Sequence, residues 1–247
     1  MKRPTSRSSG SRADYGVDEP RVPAILALAG VACLGIGLVS WRLGFWPGLI
    51  VFALAGISGL AGAASYMYTT LRGKHRAWSG ILDSLDLEGG ELVLDVGCGR
   101  GAVLLAAARR LPRGQAVGID IWTRDQSGNS AAATRRNALA EQVAGRVQLA
   151  TADARHLPFG AGTFDLVFSS IVIHNMHSAE DRRLALAQAF RVLKPGGQLV
   201  IADIFTVGAY PDELTRLGAR SVSIRSLGPG AWFGNPFIRA RLVEATK

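Results

Sequence analysis

The chain has 247 residues, 48% of them hydrophobic, and a formal charge of +9. That length fits one domain plus additional segments. Two separated cysteines, Cys33 and Cys98, and four histidines exclude a disulfide framework and offer no zinc-type ligand spacing, so a reducing compartment fits.

The charge is uneven. Residues 1–80 hold nine Lys or Arg against three acids, and residues 81–247 hold nineteen against sixteen. The excess therefore belongs to the N-terminal part. No dense basic stripe with interleaved aromatics follows it, so no nucleic-acid partner is expected. An anionic membrane surface explains the excess better.

Residues 1–21 are rich in Ser, Arg and Pro and read as a disordered basic tail. Val22–Ser40 and Gly48–Tyr68 are uncharged apolar runs, each about 20 residues, the length of a bilayer-spanning helix. The link Trp41–Pro47 carries Trp41, Phe45 and Trp46, which suit one membrane interface, and Tyr66 and Tyr68 suit the other. Frequent small residues, among them Gly30, Gly56, Gly59 and Gly62, would let two helices approach closely. The expectation is a transmembrane hairpin over residues 22–70. Lys2, Arg3, Arg7, Arg12 and Arg21 precede it and Arg72, Lys74 and Arg76 follow it, while the link holds only Arg42. Positive residues stay inside, which places both termini and the catalytic domain on the cytoplasmic side of the cell (inner) membrane. A cleaved signal peptide fits less well, because the first run is long and a second follows. A hairpin buried in a soluble protein conflicts with the lack of polar residues. Residues 71–90 read as a linker. Within it His75–Leu87 forms an amphipathic helix with Trp78, Ile81, Leu82 and Leu85 on one face, expected to pack on the domain that follows.

Residues 91–247 carry the chemistry. Leu92–Val96 is a short buried strand that contains Asp95 and breaks into Gly97, Gly99 and Gly101 before a helix from Ala102. Glycines permit positive φ and close backbone approach, and the helix start offers free N–H groups. Strand, glycine turn and helix form the entrance to a nucleotide-cofactor site in a doubly wound sheet. The glycine pattern alone also satisfies a relaxed dinucleotide fingerprint. A second strand, Gln115–Asp120, ends on an acid about 20 residues after the loop, where ribose hydroxyls are commonly bound. A polar cluster follows, Asp125, Gln126, Ser127, Gly128, Asn129 and Ser130, more than a helix cap needs. A third strand, Arg146–Thr151, leads into Asp153 and Ala154. A fourth, Thr163–Ser169, leads into the segment Ser169–Ser178 with His174, Asn175 and His177. Arg191–Ile204 then reads as a helix end, a Pro–Gly–Gly turn and a fifth strand. A helix and two further strands close the chain.

This ordered set resembles class I S-adenosylmethionine (SAM)-dependent methyltransferases over roughly residues 81–247. The resemblance implies an α/β Rossmann-like sheet of seven strands in the order 3-2-1-4-5-7-6, the last antiparallel, here preceded by two transmembrane helices. It implies SAM as cofactor, with Gly97, Cys98, Gly99 and Gly101 under its methionine part. Asp95 would hold the loop or the methionine amine, and Asp120 the ribose. Asp153 with Ala154 would bind the adenine amine, and Ile121 and Trp122 would flank the ring, with Ser170 also at the cofactor. The segment after the fourth strand would border the methyl group. His174 and His177 are then candidate general bases, since histidine titrates near neutrality. Asp125, Asn129, His174 and Asn175 are candidate acceptor contacts. Blander readings stand beside these: Asp95 and Asp120 as caps, Cys98 as a small residue in a tight place, His174 as a passive wall. Asp165 and Asp203 read as structural. No metal site is expected. The function implied is a membrane-anchored methyltransferase acting on a small or lipid acceptor. The alternative is a non-catalytic SAM-binding scaffold.

Overall fold

A computed structural model describes residues 13–123 and 126–247. Two helices, α1 (Arg21–Arg42) and α2 (Trp46–Tyr68), pack on each other as a hairpin. Their glycines set the spacing: a side chain at Gly30 would lie 3.0 Å from the Gly56 carbonyl oxygen, and one at Gly59 3.0 Å from Gly30 Cα. Both helices are long and apolar enough to cross a membrane. Little of either apolar stretch is covered. Leu28 is 71% exposed and Leu54 64%. A soluble core helix hides such a stripe, so the expectation that this hairpin is not a buried element agrees with the packing.

From Tyr68 the helix continues through one π-type turn (Thr69–Gly73) into α3 (Lys74–Asp83). Apolar residues at helical spacing turn inward here. Trp78, Ile81 and Leu82 are buried against the sheet domain, and Trp78 Nε1 donates to Ser170 Oγ at 2.8 Å. This is the packing helix that the amphipathic pattern predicts. Truncating a buried tryptophan typically costs about 3–5 kcal/mol. Trp78→Ala is therefore expected to lower unfolding stability by about that much, read by denaturant titration of detergent-solubilised protein. A loss below about 1 kcal/mol would mean that α3 is dispensable for the fold.

The sheet alternates with helices: β1 (Leu92–Val96), α4 (Ala102–Ala108), β2 (Gln115–Asp120), α5 (Ala131–Ala140), β3 (Val147–Thr151), β4 (Phe164–Ser170), α6 (Ala179–Val192), β5 (Leu193–Asp203), α7 (Tyr210–Arg216), β6 (Arg220–Ser226) and β7 (Arg241–Thr246). The strand order is β3-β2-β1-β4-β5-β7-β6, with β7 antiparallel to both neighbours. Side chains alternate between faces along each strand. Leu94 and Val96 join one core with Val167 and Leu199, while Val93 joins a second with Leu166, Phe168 and α4. The order reverses between β1 and β4, so the crevice beyond their carboxyl ends is where such a sheet binds ligands.

Two expectations need correction. The Pro–Gly–Gly stretch is not a turn before the fifth strand but a bulge within it. Phe164 pairs with Leu193, and the next pair is Leu166 with Gln198, with Gly196 at φ +80°. Residues 13–20 do not belong to a disordered tail. They lie bonded along the sheet domain, because their polar groups find fixed partners there. The rest of the expected tail lies outside the described residues.

Candidate active site

The glycine loop is built by its backbone. Gly97, Gly99 and Gly101 all have positive φ, +77°, +51° and +88°. Gly97 and Cys98 donate N–H bonds to the Ile119 carbonyl, at 2.8 and 2.9 Å, tying the loop to β2. A side chain at Gly97 would sit 2.4 Å from Val172 Cγ2, and one at Gly99 2.4 Å from Gln126 Oε1. Gly101 starts α4 and packs toward Thr134 and Leu105, off the cavity wall.

A cavity of about 950 Å³ opens over this loop. Asp95, Gly97, Cys98, Gly99, Asp120, Ile121, Asp153, Ala154 and Ser170 line it, as do Asn129, His174, Asn175 and His177. Trp122 does not. It takes positive φ (+58°), and its Nε1 donates to Thr151 Oγ1 at 2.8 Å, at the end of β3. Asp125 lies outside the described residues.

Asp120 is 8% exposed and holds the loop. Its Oδ2 accepts from Gly99 N at 2.8 Å, and its Oδ1 from Trp122 N at 2.6 Å and Asn129 Nδ2 at 3.3 Å. Asn129 thus supports Asp120 first. Asp153 forms a 2.6 Å ion pair with Arg155, whose hydrogen bond holds its carboxyl below the usual range.

Asp95 is 1% exposed, and its Oδ1 has no hydrogen-bond partner among the described residues. Burial, opposed by the Leu104 N–H and reinforced by Asp120, pushes its carboxyl well above the usual range. Burial, then Asp95 and Asp120, likewise pushes the Cys98 thiol up, so it stays protonated and is a poor competing nucleophile. The sign for Asp95 is clear. The folded state holds this proton more tightly than the unfolded chain, so its contribution is intact at acid pH and is lost as pH rises toward the folded value. Asp95→Asn is expected to raise the unfolding temperature of the ligand-free protein at pH 7–8, with the gain fading toward pH 4. A Tm–pH series checks this, and a flat difference across pH would refute it.

The cavity roof comes from residues 13–20, an arm not anticipated as ordered. Asp14 N donates to Asn137 Oδ1 at 2.9 Å, and Asp14 pairs with Arg100 at 2.6 Å. Val17 N donates to Ser127 Oγ at 2.9 Å. Asp18 pairs with Lys74 of α3 at 2.6 Å, with both side chains mostly covered. Gln126 joins all three parts: its Oε1 accepts from Arg100 N, and its Nε2 donates to Tyr15 O and Asp18 Oδ1. Ser130 caps α5. The polar cluster after β2 therefore anchors the arm, which explains its excess over a cap. Asp18, Glu19 and Lys74 face the cavity.

On the opposite wall, His174 sits in a short 3₁₀ turn (Ile173–Asn175), and His177 lies beyond it. His174 Nδ1 is 2.5 Å from Asp203 Oδ1. Asp203, at the end of β5, is fully buried and also accepts from His174 N, Ile204 N and Tyr210 Oη. Four donors suit a carboxylate that only accepts. Burial, then the Asp203 charge, pushes the Tyr210 hydroxyl up, so it remains a donor. With Nδ1 engaged, His174 Nε2 is the nitrogen available to take a proton. His177 and Asn175 are exposed and lack such support. Asp203, read as structural from sequence, is thus the residue that orients the histidine. The chain offered one hint, an acid at the carboxyl end of a central strand.

Residues 94–201 match a family described as a methyltransferase domain (Methyltransf_11). Over those residues, which run from β1 into β5, the chain is similar to a methyltransferase domain. Methyltransferase GfsG of Streptomyces halstedii is 34% identical over 135 residues, 55% of this chain and 45% of that protein. The ubiquinone/menaquinone biosynthesis C-methyltransferase UbiE of Cereibacter sphaeroides is 34% identical over 132 residues, 53% of this chain and 50% of that one. The chain spans about half the length of the curated relatives it matches. A SAM-dependent methyltransferase from Aquifex aeolicus shares the fold, with TM-score 0.55 and 19% identity over 68% of this chain and 88% of that one. The residues lining this cavity fit SAM. An orphaned buried carboxylate oxygen on Asp95, the side-chain-free backbone at Gly97 and Gly99, and the acids Asp120 and Asp153 share one cavity.

Proposed function

We propose that this chain is a membrane-anchored enzyme that moves the methyl group of SAM onto a small acceptor with an apolar part. One observation carries the reading. A single cavity wall joins the glycine loop, His174 with Asp203 bonded behind it, and Val22 and Tyr66 at the two feet of the apolar hairpin. The charge pattern supports a hairpin with both termini and the methyltransferase domain on the cytoplasmic side. The similarity to UbiE supports a quinol-like acceptor.

When bound, SAM supplies a sulfonium methyl open to in-line attack. The chain's own part is alignment and dryness. Asp120 and the loop N–H groups fix the floor, and the arm excludes water from above. His174 Nε2 takes the acceptor's proton as the new bond forms, with Asp203 holding the imidazole in the right tautomer.

The test is transfer of labelled methyl from SAM into host membrane extract by the full-length protein. Label in the organic phase supports the reading. Label only in water-soluble products would remove the apolar acceptor. Bound SAM with no transfer to any fraction would favour a non-catalytic SAM-binding scaffold.

A further inference from the structure

The loop Trp232–Arg239 is a tight antiparallel reversal: Trp232 bridges Arg239, and Phe233 N donates to Ile238 O at 2.7 Å. It is fastened to the hairpin. Thr69 Oγ1 donates to the Trp232 carbonyl at 2.7 Å, and Phe233 packs edge-on against Tyr66, with ring centroids 5.5 Å apart. The loop also reaches along the hairpin. A side chain at Gly62 would lie 3.0 Å from the Gly234 carbonyl oxygen, and one at Gly234 would lie 3.3 Å from Leu26 Cδ1. Gly62 is six residues short of the end of α2, roughly 9 Å along a helix rising 1.5 Å per residue. Leu26 is as deep inside α1 to within a residue. A loop of the methyltransferase domain therefore stands level with the inside of the apolar spans. Its tip, Phe237, is 93% exposed.

Level with an apolar span, an exposed phenylalanine is at the depth where interfacial segments bury their apolar side chains. The same loop lines the cavity through Phe233 and Ile238, and Val22, Tyr66, Ile171 and Ile204 continue that apolar lining. Ile204 directly follows Asp203, the partner of His174.

We infer that this loop and the feet of the hairpin form a side portal at the bilayer interface, through which a tailed lipid acceptor inserts its head group while its tail stays in the bilayer. This rests on the methyltransferase reading above and adds the acceptor class and its route. Phe237 seats the rim in the interface. Ile238 and Phe233 contact the first carbons of the tail. The head group then lies beside His174.

The experiment uses full-length protein in phosphatidylcholine–phosphatidylglycerol vesicles. The probe is a hydroquinone with a ten-carbon tail carrying a diazirine three carbons from the ring. Irradiation and peptide mapping locate that carbon. The expected result is label on residues 231–240, reduced at least fivefold by Ile238→Asp and by Phe237→Ser, the latter fully exposed and so harmless to packing. Label confined to other surfaces of α1 and α2, label unaffected by both variants, or no label on the protein overturns the portal. Retention of tritiated SAM by the same vesicles separates the two claims. Bound SAM with misplaced label sinks the portal alone, whereas loss of SAM binding in the wild type sinks the underlying reading.

Discussion

Asp120→Ala is expected to weaken SAM binding by about 100-fold or more and to abolish methyl transfer at ordinary SAM concentrations. The carboxylate accepts the Gly99 N–H, the Trp122 N–H and the Asn129 amide. Removing it strands the two backbone donors at the foot of the cavity. Each buried donor left unsatisfied costs about 1–3 kcal/mol, and about 1.4 kcal/mol is a factor of ten in affinity. The loop conformation is lost with them. Calorimetric titration of SAM into the detergent-solubilised variant checks this, with circular dichroism as the folding control. A folded variant within threefold of wild-type affinity would reduce Asp120 to a helix cap.

The second large effect concerns proton removal. His174→Ala is expected to lower kcat by about 100- to 1000-fold, within the usual range for general-base catalysis, with SAM affinity unchanged. Asp203→Asn keeps the volume but cannot reproduce four acceptor contacts, and it would let the imidazole take the wrong tautomer. Its kcat is expected to fall nearly as far. Two readouts separate chemistry from structure. SAM affinity should hold at the wild-type value in both variants while kcat falls, a split that a merely structural change would not produce. The double variant should be little worse than either single one, because the two residues act as a unit. Unchanged kcat in His174→Ala would mean that the acceptor arrives already ionised.

How far could these features be read from sequence? The central strands were legible as apolar runs that end at a glycine or an acid: Val96 before Gly97, Asp120 and Asp203. The two apolar helices were equally legible. Gly97, Gly99 and Asp120 fall in the cavity for reasons visible in the chain: φ freedom, and an acid at a strand's carboxyl end. The bond of Trp122 to Thr151 was not legible, because it depends on a left-handed backbone turn that no local pattern announces. Asp203 was undervalued because its partner is 29 residues away and the pair meets only when β4 and β5 align. The arm had no periodicity to find. Its order comes from single contacts to residues 56 to 126 positions distant.

That arm changes what a convenient fragment of this protein would report. A version cut just ahead of α3 keeps the whole sheet, the glycine loop and the histidine pair, and should be easy to handle in water. It would nevertheless lack Asp14, Tyr15, Val17 and Asp18, leaving Gln126 and Arg100 without the partners that close the cavity. Weak SAM binding or idle turnover in such a fragment would describe an open vessel, not the enzyme. The segment that completes the chamber lies ahead of the two apolar helices and is kept only together with them.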